Sequence, residues 1–293
     1  GWTRTGKRPQ FHVVTGVSAG ALAAPFAFLG PQYDHHLVEV FIRLTSADLV
    51  KPKNRVLALF GDSLASPEPL QALIEQHFDE ALMHAIAARH RQGGRLYVAT
   101  THIYAGRQVI WDIGAIADSG RPDALALIRR VLLASASVPI MLPPVFIEVE
   151  AQGKRYNEMH VDGGITSQVF VGPPALDWGA LGRTLGADGG TSFFVIRNGR
   201  AMSEYMVMRP EIIGLGEHAM HQLAQSLGIG DLHVIYLRAQ RENARFRAAW
   251  IGEDFAAPWA DWFDPRYVRA LFDYGQAMAQ RRDAWHALPP GVK

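Results

Sequence analysis

Along the 293-residue chain, short strand-like apolar runs take turns with longer helix-like stripes. Phe11 to Thr15 is a run of strand character. The next segment, Ala19 to Leu29, is apolar on every side, as a buried helix is. Gly30-Pro31 stops it, and Pro25 predicts a kink or an early end. A second helix opens at Ser66-Pro67, where Leu70, Leu73, Ile74, Phe78, Ala81, Leu82 and Ile86 keep helical spacing up to Gly93-Gly94. Residues 31 to 65 between these helices read as polar and mostly irregular, with some helix.

Further on, residues 96–103 and 108–111 predict two strands turned near Ala105-Gly106, and residues 122–134 carry a helix pattern. Residues 145–150 and 155–161 flank Gln152-Gly153, the pattern of a hairpin. A strand is expected at 192–197, a helix at 210–227, a strand at 232–238, and a last helix opened by Asp264-Pro265 and running through Met278. Strands interleaved with helices predict an α/β fold layered around a mainly parallel sheet. No linker-like stretch divides the chain, so residues 1–293 read as one domain.

Composition narrows the function classes. Hydrophobic residues make up 48% of the chain, ample for a core. Lys plus Arg number 29 and Asp plus Glu 28, a net charge of +1, which gives no basic excess for a nucleic-acid partner. There is no cysteine, which excludes disulfides, a thiolate nucleophile and a Cys-ligated metal. No run approaches the roughly 18 apolar residues that span a bilayer. No targeting segment is visible, which leaves the compartment open.

The chemistry begins at Gly16-Val17-Ser18-Ala19-Gly20, a G-x-S-x-G pattern. Roughly 0.1 such matches arise by chance in a chain this long. Here, however, an apolar strand runs into it and an apolar helix runs out, the setting a nucleophile elbow requires. Close approach of strand and helix calls for glycine at both Gly16 and Gly20. Ser18 then projects into open space, and the Ala19 amide at the helix N-terminus can face a developing oxyanion. The plainer reading is a tight turn with Ser18 as a helix cap.

A serine nucleophile needs a base within hydrogen-bond reach. Asp162-Gly163-Gly164 follows the strand-like Met159-His160-Val161, and a carboxylate at a strand end can reach a neighbouring strand's end. Asp188-Gly189-Gly190 repeats the pattern but precedes a strand, so Asp188 reads as an ordinary turn residue.

Gly16 to Gly20 followed by His160-Val161-Asp162-Gly163-Gly164 resembles the bacterial patatin-like phospholipases. Ala134-Ser135-Ala136-Ser137-Val138-Pro139, leading to Leu142-Pro143-Pro144-Val145, is similar to that family's segment between nucleophile and base. The resemblance runs from the first residues to about residue 175. It implies a three-layer α/β/α fold and hydrolysis of lipid acyl esters by a Ser18–Asp162 dyad without a catalytic His. The substrate would be a phospholipid, a lysophospholipid or a neutral glyceride. No cofactor is implied, and the bacterial family's range of settings covers cytoplasm and envelope. The family also carries a glycine-rich run after its first strand that supplies oxyanion amides. This sequence has none before Gly16, so the domain is expected to lack its N-terminal strand and glycine-rich loop.

Two alternatives to the dyad stay open: a Ser–His–Asp esterase, and a catalytically inactive lipid-binding member of the fold. His160 is the histidine placed to hydrogen-bond near the site, being two residues from Asp162 on one strand face. His218 and His221 are three apart on a helix without a third ligand at useful spacing, so no metal is expected. Trp250, Phe255, Trp259, Trp262 and Phe263 form an aromatic cluster that reads as loop packing, with peripheral membrane contact as the other use.

Overall fold

A computed structural model describes residues 1–42, 51–52, 63–186, 190–202, 212–257 and 264–292. Strand β1 (Val13–Gly16) leads into α1 (Ala19–Leu29), and α2 (Asp34–Ile42) follows. Strands β2 (Lys51–Pro52) and β3 (Ala65–Ser66) form a two-stranded antiparallel pair. Next come α3 (Glu68–His77), α4 (Glu80–Arg91), β4 (Arg95–His102), β5 (Arg107–Asp112), α5 (Ile113–Ala117) and α6 (Ala124–Ser135). The hairpin β6 (Val145–Ala151) and β7 (Lys154–Asp162) precedes α7 (Trp178–Thr184) and β8 (Ser192–Arg200). The chain closes with α8 (Ile212–Arg241), β9 (Arg245–Ile251) and α9 (Pro265–Met278).

The sheet is mixed. β1 pairs with β4 in parallel, and β5, β7 and β6 join antiparallel, while β8 and β9 form a separate parallel pair. β1 divides two cores. Successive strand residues point to opposite faces. Val14 packs against the core that holds Leu22, Phe26, Leu96, Val98 and Leu132. Its neighbour Val13 packs instead against the core that holds Phe193, Val195, Leu232, Ile235 and Phe246.

The structure corrects three expectations. The helix expected from Ser66 to Gly93 is two, because Asp79 caps α4 by accepting from the Leu82 amide and Phe78 leaves the helical region (φ −115°, ψ 74°). Residues 232–238, expected as a strand, lie inside α8, which runs on to Arg241. The strand of that region is β9, after the helix. Pro25 does not end α1, which continues to Leu29. Among the described residues no helix is long and apolar enough to cross a membrane.

Candidate active site

Strand β4 sets the geometry. Its residues Tyr97 to His102 pair with β5 along one edge. The other edge takes β1 opposite Arg95–Val98, and then β7 opposite Thr100–His102. β1 runs with β4 and β7 runs against it, so their C-terminal ends meet head to head. Gly16 lies opposite Val98 and Asp162 opposite Thr100, with only Ala99 between. The two motifs, far apart in sequence, are thereby two residues apart in register.

The turn from β1 into α1 holds Ser18 at φ 56°, ψ −129°, a region that non-glycine residues rarely adopt. Although Ser18 occupies the N-cap position, its side chain makes no capping hydrogen bond. The hydroxyl is therefore not spent on the helix. Gly16 explains its own identity, because a Cβ there would run into Gly20 O and Ala21 Cα. Gly20 departs from expectation: a Cβ there would meet nothing within 4 Å, and the residue is exposed. Its glycine leaves open space beside the turn rather than permitting close packing.

Asp162 ends β7 and is 4% exposed. Its Oδ1 accepts from the Gly164 amide at 2.7 Å, and its buried Oδ2 has no hydrogen-bond partner. Burial pushes the carboxyl up to about 6, against the pull of the Ser18 hydroxyl and the Gly164 amide. Ser18 is thus close enough to Asp162 to act on its ionisation, though the pair makes no bond of full hydrogen-bond geometry. The glycines of this turn are dictated by close approach rather than flexibility. A Cβ on Gly163 would collide with Ala99 O, and one on Gly164 would press on Gln168 and Asp162 Oδ1.

The end of α6 ties the two halves together. Ser135 is fully buried, and its Oγ accepts from the Ser18 amide at 3.1 Å while donating to Ala99 O at 2.7 Å. Two residues on, Ser137 O accepts from the Asp162 amide at 2.9 Å. Both serines stand in the segment that resembled the family pattern, but their role could not be read from it. Asp231, mid-way along α8, accepts from the amides of Gln168 and Val169 and from Ser167 Oγ, pinning the chain just after the Asp-Gly-Gly turn. Nothing local in the sequence marks Asp231 for that task.

His160 is fully buried and engaged elsewhere. Trp111 Nε1 donates to Thr100 Oγ1 at 2.9 Å, so the Thr100 hydroxyl can donate to His160 Nδ1, also at 2.9 Å. That leaves Nε2–H to donate to Glu158 Oε2 at 3.1 Å. Burial lowers the His160 pKa, with Glu158 opposing. Both nitrogens are occupied, and among the described residues no histidine hydrogen-bonds to Ser18 or Asp162. His218 meets Gln222, and no metal-competent group forms around it or His221 among the described residues. Asp188 lies outside the described residues, as do Trp259, Trp262 and Phe263. Of the aromatic cluster, Phe255 packs on Tyr267 and Tyr274, and Trp250 stacks on His286.

Beside Ser18 a cleft of about 230 Å³ opens between two walls. Thr15 to Gly20 form one and Phe194 to Asn198 the other, with Gln168 to Phe170 completing the lining. Ala19, the first residue of α1, faces this cleft, so the positive end of the helix is directed at it.

No curated protein matches the chain. A model of the family described as patatin-like phospholipase matches residues 2–174, more than half of the length and every element that builds the Ser18–Asp162 juncture. The chain belongs to the patatin-like phospholipases, a family of lipid acyl hydrolases with a three-layer α/β/α fold.

Proposed function

We propose that this chain hydrolyses acyl esters of lipids through a Ser18–Asp162 dyad and an acyl-enzyme. The observation that carries the reading is the head-to-head juncture on β4, which sets a strained, uncapped serine beside a buried carboxylate with a free oxygen. Asp162 takes the Ser18 proton as Oγ bonds to the acyl carbon, and the charge moving to the carbonyl oxygen faces the Ala19 amide. The tetrahedral centre collapses, the alcohol leaves with the proton from Asp162, and the acyl group stays on Ser18. Water then attacks, giving its proton to Asp162. The fatty acid departs, and Ser18 Oγ recovers the proton.

Within a lining that also holds Thr15, Gln168, Arg197 and Asn198, the side chains of Val17, Val169, Phe170, Phe194 and Val195 offer apolar contact to an acyl chain. Val138, Ile140, Ile165 and Ile196 are exposed on segments adjoining the site, which supports a lipidic substrate and peripheral contact with its aggregate. The engagement of His160 by Thr100 and Glu158 weighs against a Ser–His–Asp triad.

The test is turnover of a short-chain ester by the chain and by Ser18→Ala and Asp162→Asn. Both substitutions are expected to remove activity by roughly 10⁴-fold or more, since members of such a unit fail together. A fluorophosphonate should label Ser18 alone. Turnover by a folded Ser18→Ala variant close to that of the parent chain would discard the assignment. A parent chain that binds lipid without any turnover would instead make this an inactive member of the fold.

A further inference from the structure

Away from Ser18, α2 and the end of α3 bring two imidazoles and a carboxylate together. His36 and Glu39 stand three apart on α2 and so share a face. His77 is the last residue of α3 and is 8% exposed. One ligand-capable atom from each lies within 4.8 Å of the other two, the only such trio among the described residues. The His36 ring lies flat on Phe26, with centroids 4.9 Å apart and planes 15° from parallel. The His77 ring meets it edge-on at 5.8 Å. His36 Nδ1 is buried without a hydrogen-bond partner. Such a nitrogen has lost its water without gaining a partner, which leaves His36 able to gain from a ligand bond. The neighbouring His35 is engaged through Nδ1 with Gln32 O at 3.0 Å.

We propose that His36, Glu39 and His77 form a binding site for a divalent transition-metal ion, with zinc the ion their nitrogen and oxygen donors suit best. Two imidazoles and a carboxylate are a common zinc donor set, and water can take the fourth tetrahedral position. Donors held about 2.0–2.1 Å from zinc lie roughly 3.4 Å from one another, so no pair within 4.8 Å need draw in by more than about 1.4 Å. Rotations of the Glu39 and His77 side chains supply movements of that size. The ion would clamp α2 to α3 and fix the ring that packs on Phe26. Because Phe26 lies two turns along the helix that begins beside Ser18, the site braces α1 from the end remote from the chemistry. It stands apart from the Ser18–Asp162 reading and does not depend on it.

The full chain is stripped with EDTA and titrated with zinc by calorimetry, and cobalt(II) is added separately as a spectroscopic probe. One saturable zinc site per chain is expected. The melting temperature should rise with zinc and fall back on chelation, and bound cobalt should show the intense visible bands of tetrahedral coordination. Glu39→Gln and His77→Gln should each weaken zinc by at least about tenfold, since even an outer partner of a ligand is commonly worth that much, while ester turnover stays as in the parent chain. The absence of a saturable site overturns the proposal. So does unchanged affinity in both variants, which would assign the zinc to other histidines. If His77→Gln does not fold, Glu39→Gln, half-buried and nearly isosteric, decides the matter alone.

Discussion

With its carboxyl raised to about 6 by burial, Asp162 is least stable in the ionised form that a base requires. Two consequences follow. Activity should climb as pH rises through about 6, with kcat/KM falling on the acid side as the carboxylate is protonated; an acid limb centred near 4 in a pH–rate profile would contradict this. Stability moves the other way. The folded state holds the Asp162 proton more tightly than the unfolded chain, so this contribution is fully present below the ordinary carboxylate pKa. It is lost as pH rises through about 6, a loss of roughly 3 kcal/mol at about 1.4 kcal/mol per unit. Asp162→Asn should therefore melt higher than the parent chain at pH 8, and the gain should shrink by pH 4, as thermal unfolding at the two pH values would show. The glycines of the turn divide at the same scale. Gly16→Ala collides with Gly20 O and should destabilise the fold, whereas Gly20→Ala enters open space on a helix and should be neutral or slightly stabilising. The turn at Ser18 and the strand end at Asp162 were legible in the sequence because such turns come with local punctuation: glycines around a serine between strand and helix, and glycines after an aspartate at a strand end. Gly20 was misjudged because motif spacing does not reveal which side of a turn is open.

The supporting elements carry less local signature. Ser135 gives one hydroxyl to two tasks, receiving from the Ser18 amide and donating to Ala99 O. Ser135→Ala leaves both backbone groups unpaired in a buried place, at a cost of about 1–3 kcal/mol. Turnover should fall through kcat more than KM, because Ser18 loses its position rather than its contacts with substrate. Equal kinetics in the variant would show that α1 alone holds the turn. His160 belongs to a different class of support. His160→Ala removes the acceptor of the Thr100 hydroxyl and the donor to Glu158 at a fully buried place and should lower the melting temperature markedly, yet folded enzyme should retain most of its turnover. Hairpins were legible because period and turn residues agreed, as at Gln152-Gly153, where both residues hold positive φ. The strand expected at 232–238 failed for a definite reason. Leu232, Ile235 and Ala239 are buried at helical spacing, but Val234 and Leu237 are apolar and exposed at 64% and 62%, so the run hides its period.

Across the whole molecule, β1 is the partition between two cores, with Val14 facing one and Val13 the other. The C-terminal elements β8, β9 and α8 thus support the strand that carries Ser18, although they lie beyond the span matched by the family model. Leu232→Ala, at a fully buried site in α8, should cost about 2–5 kcal/mol and show as a lower midpoint in urea unfolding. That long-range dependence could not be read from sequence, since it joins residues that share no motif. The head-to-head meeting on β4 makes the separation of Ser18 from Asp162 a matter of strand register, independent of how much chain runs between them. Excursions of the chain can therefore lengthen without retuning the chemistry: a flexible glycine-serine insert at the Gln152-Gly153 tip should leave turnover intact, because β7 re-enters at the same rung of the ladder. One residue inserted between Val98 and Thr100 would do the opposite, stepping the two motifs apart and turning the following side chains of β4 to the wrong face. The strand works as a ruler with a single graduation, and such a molecule can gain new loops around an old reaction far more easily than it can change the spacing at its centre.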